Sequence, residues 1–198
     1  RVGADRKLAD YGQIVRYFEA LDQGSDRVQL LKLGKSVLGR DLVMAVISSE
    51  ANLRDIDRYR AIARRLADPR GLDPAEAERL VAEGKVIVLV TCGIHASEIG
   101  STQMAMEWAH TLATSEDPKT RHWLDDVILL LMPSINPDGT DMIVDYYRKY
   151  LGTEWEGGRL PWLYHHYAGH DNNRDWYMLT LPETRLVNQV LHKDWFPQ

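Results

Sequence analysis

Six side chains in this sequence have the types and spacing for hydrolytic chemistry. The first two lie in Gly93-Ile94-His95-Ala96-Ser97-Glu98. An imidazole nitrogen and a carboxylate oxygen three positions apart are a common zinc pair. With a third, distant ligand they make a catalytic centre that keeps one coordination position open. His95 and Glu98 directly follow a β-branched run, and sites in layered α/β folds sit at such strand ends. Taken alone, the same six residues also read as a polar loop after a strand.

Three more candidates lie in Gly169-His170-Asp171-Asn172-Asn173-Arg174. Arg174 offers a planar fork to a carboxylate, and Asn173 adds an amide donor. Asp171 has the chemistry to hold the far nitrogen of a metal-bound histidine. The plainer reading is a helix-capping loop with a solvated arginine. Arg148, in Tyr146-Tyr147-Arg148-Lys149, reads by itself as a solvated helix residue. Asn136-Pro137-Asp138-Gly139 reads by itself as a β-turn, with Pro and Gly where turns favour them.

The elements that must position these groups alternate between strand and helix. Val86 to Thr91 and Val127 to Met132 are apolar runs without alternation, as expected of strands covered on both faces. Two further strands, 28–37 and 40–48, flank a turn at Leu38-Gly39. Apolar spacing predicts helices over 7–21, 52–67, 101–113, 141–150 and about 180–193, and Asp73-Pro74 opens another that Gly84 closes. The stretch 152–169, rich in Gly and aromatics, has no clear period and reads as a long functional loop. Trp155, Trp162, Tyr164, Tyr167, Trp176 and Tyr177 crowd this region, as packing or as a lining for a substrate side chain. Strands alternating with helices imply an α/β layered domain.

Composition narrows the function classes. The 198 residues suit one domain. With 24 Lys plus Arg against 29 Asp plus Glu, the formal net charge is −5, and no basic block marks a nucleic-acid surface. No apolar run approaches the roughly 20 residues of a membrane span. The one cysteine, Cys92, excludes an internal disulfide and a cysteine-based metal site.

Order along the chain is more specific than any single motif. Gly34-Lys35-Ser36-Val37-Leu38-Gly39-Arg40 comes first, then Gly93 to Glu98, Asn136 to Gly139, Tyr147-Arg148-Lys149, and Asp171 to Arg174. This series resembles the zinc metallocarboxypeptidases, the carboxypeptidase A-like peptidases, from about Gly34 to Tyr177. The resemblance implies a three-layer α/β/α fold with a mixed, largely parallel twisted sheet, incomplete at its C-terminal side. It implies that 1–198 is the N-terminal part of a single catalytic domain, truncated after Gln198. It implies Zn2+ as cofactor, His95 and Glu98 as two of three ligands, and Asp171 orienting His95. Arg148 would stabilise the oxyanion, and Asn173 and Arg174 would grip the terminal carboxylate of a peptide or protein substrate. No match to the third ligand or to the catalytic Glu precedes Gln198, and His165, His166, His170 and His192 are poorly placed for the third position. The fragment alone is therefore expected to be inactive. The resemblance suggests a secreted or periplasmic protein, although the chain carries no signal-peptide pattern.

Two other readings share these motifs. An aspartoacylase-type zinc amidohydrolase also has H-x-x-E followed by D-x-N-R, but the Gly34–Arg40 and Asn136–Gly139 elements favour the peptidase. A non-catalytic peptide-terminus binder on the same fold is the other.

Overall fold

The computed structural model describes residues 2–161, 163 and 169–198. Four strands form one sheet: β1 (Val28–Lys35), β2 (Asp41–Ile47), β3 (Val86–Thr91) and β4 (Val127–Met132), in the order β1-β2-β4-β3. β1 pairs with β2 and β2 with β4 antiparallel, while β3 and β4 run parallel. The sheet is thus mixed, with its parallel content in the described residues confined to β3 and β4.

Helices cover both faces. On one side, α1 (Tyr11–Gly24) and α5 (Ile99–Thr114) pack Phe18, Ala105 and Ala109 on Ala45, Ile47, Leu129 and Leu131. On the other, α3 (Ile56–Ala67), α4 (Pro74–Glu83) and α8 (Pro182–Gln189) pack Ile62, Leu80 and Val187 on Met44, Val46, Leu130 and Met132. Alternate residues of β2 and β4 therefore feed opposite cores, so neither strand shows a polar face. Every residue of β4 is buried. The outcome is the expected three-layer α/β/α arrangement.

Several element boundaries shift from the sequence expectation for local reasons. The first helix begins at Tyr11, not Lys7, because Asp10 accepts from Gln13 N and the Gln13 side chain answers to Asp10 N. The expected helix over 52–67 divides into α2 (Glu50–Arg54) and α3 at Asp55, whose φ of −101° and ψ of 18° leave the helical region. A helix not assigned from periodicity, α6 (Pro118–Asp126), opens on Asp117 with Pro118 in its first turn. The last helix ends at Gln189 and passes into a π turn, Val190–Asp194.

This topology gathers the motifs at one edge. β3 and β4 are parallel, so the segments after Thr91 and Met132 leave the sheet together. Cys92 N donates to Met132 O at 3.0 Å and Ile135 N to Cys92 O at 2.9 Å. β2 runs the other way, which brings the Ser36–Arg40 turn at its start to the same edge. At the opposite end of β3, Gln198 N donates to Ile87 O at 2.9 Å and Ile87 N to Gln198 Oε1 at 2.8 Å. Among the described residues no helix is long and apolar enough to cross a membrane.

Candidate metal and carboxylate site

The chain leaves β3 through Gly93, at φ +64°, a conformation costly to any residue with a Cβ. A Cβ there would also stand 2.6 Å from Thr102 Oγ1 and 3.1 Å from Ser134 Oγ. Glycine thus permits the turn that presents His95. Glu98 N donates to His95 O at 2.9 Å, which brings the two side chains together. Glu98 is the residue before α5, yet its carboxylate caps none of that helix's amides. It lies instead 3.3 Å from His95 Nδ1, through Oε1.

The other ring nitrogen, Nε2, meets Asp171 Oδ1 at 3.1 Å. Asp171 precedes a 3-10 turn, Asn172–Arg174, and also accepts from Asn173 N at 2.8 Å. An ionised carboxylate only accepts, so this contact favours the tautomer with the proton on Nε2. Nδ1 then turns a lone pair toward Glu98. Two acceptors facing each other at 3.3 Å suit a cation between them. Tetrahedral zinc, with bonds near 2.0–2.2 Å, holds two ligand atoms about 3.4 Å apart. The donor set and its spacing therefore fit zinc on two ligands. Among the described residues no third His, Cys, Asp or Glu completes a metal-binding group.

Two asparagines outside the expected set hold the His95 loop. Asn136 Nδ2 donates to Ile94 O at 3.0 Å and Asn172 Nδ2 to the same oxygen at 2.5 Å. One carbonyl, next to His95, thus ties together the segments after β3, after β4 and around Asp171. Asn136 also caps α7 (Pro137–Tyr150), accepting from Gly139 N at 3.0 Å. Asn-Pro-Asp-Gly is therefore a helix start rather than a free β-turn. An Asn cap directly before Pro is a helix-start signal carried by the sequence itself.

Asp138 of that helix is buried, and the Ser36–Arg40 turn folds around it. It accepts from Ser36 Oγ at 2.7 Å, Leu38 N at 3.0 Å and Arg40 Nη1 at 3.0 Å. Gly39, at φ +82°, closes the turn, with its N–H donating to Ser36 O. Both motifs are thus halves of one support beneath the site.

Asn173 Oδ1 accepts from Trp176 Nε1 at 3.0 Å, which orients the amide and turns its NH2 away from the indole. Arg174 is exposed, and among the described residues its guanidinium makes one long contact, Nη1 to Asn173 O at 3.4 Å. The segment is fixed from behind by Asp175, which is fully buried. Burial would raise its pKa, but donors from Thr180, Thr184 and Leu181 overcome this and hold it at about 2.

Arg148 has other partners. It donates to Asp10 Oδ2 at 2.9 Å, Leu8 O at 2.9 Å and Gln13 Oε1 at 3.0 Å, and so clamps the N-terminal segment. It lies in the last turn of α7, and its Gln13 partner lies in the first turn of α1. Among the described residues its hydrogen bonds reach none of His95, Glu98, Asp171, Asn173 and Arg174. His165 and His166, with Trp162, Tyr164 and Tyr167, lie outside the described residues. His170 Nδ1 contacts Asp171 O at 2.9 Å, and His192 sits in the π turn.

A metallo-carboxypeptidase from Burkholderia cenocepacia superposes with a TM-score of 0.60 at 18% identity, covering 93% of this chain and 38% of that one. Carboxypeptidase A from Helicoverpa armigera gives 0.54 at 15%, covering 94% and 42%. Thrombin activatable fibrinolysis inhibitor gives 0.60 at 14%, covering 95% and 44%. At these identities the likeness is one of fold, and the chain spans less than half the length of these relatives. No curated protein sequence matches. The zinc carboxypeptidase family matches over residues 14–192, nearly the whole sequence, and the chain belongs to that family.

Proposed function

We propose that this chain is the N-terminal part of the catalytic domain of a zinc metallocarboxypeptidase that removes C-terminal residues from peptides or proteins. The observation that carries the proposal is His95 bracketed by Glu98 on Nδ1 and Asp171 on Nε2. In this reading His95 and Glu98 are two zinc ligands, and Asp171 fixes the tautomer and ring orientation. Zinc, when bound, polarises the scissile carbonyl and makes water acidic enough to serve as nucleophile near neutral pH. A third ligand and a general base would come from sequence outside these residues.

Asn173 and Arg174 bind the terminal carboxylate of the substrate. The forked guanidinium donates two parallel bonds, and the oriented Asn173 amide adds a third donor. A grip on the free terminus sets the cut near the chain end and gives an exopeptidase. Arg148 is left out of this set, because its donors serve Asp10, Leu8 and Gln13.

The test uses the enzyme extended through a third ligand and a catalytic Glu. Arg174→Ala should weaken peptides with a free C-terminus by about 1.5–3 kcal/mol, and amidated ones far less. Equal losses for both would refute the carboxylate role. His95→Ala should abolish stoichiometric zinc, read by metal analysis.

A further inference from the structure

Asn172 is 5% exposed, and its amide is engaged on one edge only. Nδ2 donates to Ile94 O, the carbonyl beside His95. Oδ1 is shielded from solvent and has no hydrogen-bond partner among the described residues. Folded proteins rarely leave a buried acceptor in that state, and ordered water is a common partner for one. Exchanging O and N of the amide gives no relief. It would set Oδ1 against Ile94 O, acceptor against acceptor.

Asn172 lines a cavity of about 10 Å³ together with Ile94, Asn136, Leu181, Glu183 and Thr184. That volume accommodates one water molecule. One wall is the start of α8. Leu181 holds the N-cap position and caps none of the first-turn amides with its side chain. Pro182 has no N–H, and the first helical bond runs from Arg185 N to Leu181 O. The Glu183 and Thr184 N–H groups precede that bond, so the helix itself supplies them no acceptor.

These surroundings select an occupant by hydrogen-bond sense. An anion suits amides at a helix start but not Asn172 Oδ1, which only accepts. A cation suits the oxygen but meets the positive end of α8. Water both donates and accepts, and it has the right size.

We propose that this cavity is the site of one structural water, which donates to Asn172 Oδ1 and accepts from an N–H in the first turn of α8. The water fixes the Asn172 amide in the orientation that holds the Ile94 carbonyl. It thereby links α8 to the loop that presents His95. Val37 N donates to Glu183 Oε1 at 3.2 Å, so the same helix start also holds the Ser36–Arg40 turn. This water requires neither zinc nor a substrate.

A crystal structure of the full-length protein, at a resolution that orders single waters, tests the site. The expected result is one water at about 2.7–3.2 Å from both Asn172 Oδ1 and a first-turn nitrogen of α8. An unfilled cavity, a protein donor seated on Oδ1, or an ion ringed by oxygens would each overturn the proposal. In solution, water 17O relaxation dispersion counts buried waters of long residence. Asn172→Leu removes the acceptor and should hold one such water fewer than the parent. Asn172→Asp keeps an acceptor there and should hold the same number as the parent. Amide spectra of both variants report folding, and the structure of the unaltered protein decides if either fails to fold. An unchanged count in Asn172→Leu, or the same loss in both variants, would overturn the site.

Discussion

The Asp138 carboxylate and the Arg40 guanidinium meet at 3.0 Å although 98 positions separate them in sequence. Arg40 also binds Asp141 at 2.6 Å, so one side chain spans a full turn of α7. The hairpin between β1 and β2 is thereby fastened to the helix that begins beside the His95 loop. Asp138→Ala leaves the Ser36 hydroxyl, the Leu38 amide and the Arg40 guanidinium without their shared acceptor. Arg40 is partly exposed and recovers some hydration, so the expected loss is about 2–3 kcal/mol. Urea unfolding at neutral pH measures it, and a loss below about 0.5 kcal/mol would contradict this account.

Zinc affinity should depend on Asp171 as well as on His95 and Glu98, the two proposed ligands. Asp171→Asn keeps the side chain's shape but lets the His95 ring settle in either tautomer. Outer partners of this kind typically contribute 10–100-fold in metal affinity. Competition against a chromophoric chelator, with the extended enzyme, should show a loss of that order. An unchanged affinity would mean that the 3.1 Å contact does not orient the ring.

Asp175 makes stability depend on acid pH. Burial opposes its charge, but its hydrogen bonds prevail and hold the folded-state pKa at about 2, below the ordinary aspartate value of 3.8. The folded pKa is depressed, so the stabilisation is full above about pH 4 and lost as pH falls toward 2; it amounts to about 2 kcal/mol. Asp175→Asn should be less stable than the parent at pH 6, and the gap should close near pH 2. A gap constant over that window would rule out the linkage.

Gly93→Ala should fold poorly or displace the His95 loop. The positive φ alone costs about 1–2 kcal/mol for a residue with a Cβ, and the 2.6 Å approach to Thr102 Oγ1 adds to it. Gly93→Ala combined with Thr102→Ala should regain part of the loss, since the closest contact is then gone. Thermal unfolding of both variants tests this, and no recovery in the double variant would place the whole cost in the backbone.

Arg148→Ala separates a clamp from a catalytic group. Its side chain is partly exposed and pairs with Asp10, so removal should cost at most about 1 kcal/mol of stability. Faster proteolysis within the N-terminal segment should accompany it. A group that stabilised an oxyanion would instead lower turnover of the extended enzyme by about 10²–10³ at unchanged stability. The structure leads us to expect the first result.

What could be read directly from the chain was local or periodic. The unbroken apolar runs of β3 and β4, the short distance from His95 to Glu98, and the Asp-x-Asn-Arg segment are each contained within a few residues. So is Asp73-Pro74, whose capping chemistry requires no distant partner. These properties were enough for the layered α/β class and for the pairing of His95 with Glu98. The order of the motifs along the chain carried the family resemblance.

The remainder depended on contacts between segments far apart in sequence. Asn136 and Asn172 act through one carbonyl, that of Ile94, and nothing in their own neighbourhoods marks that atom as their acceptor. Asp138 is a turn residue until the reversed direction of β2 brings Ser36 and Arg40 to it. Arg148 has the right type for an oxyanion site, but its distance from His95 depends on which face of α7 it occupies and on what packs there. Sequence by itself determined which groups were available and which neighbours they had along the chain. Tertiary structure alone decided which of them meet, because hydrogen bonds and ion pairs depend on distance and direction in space, and strand order sets both.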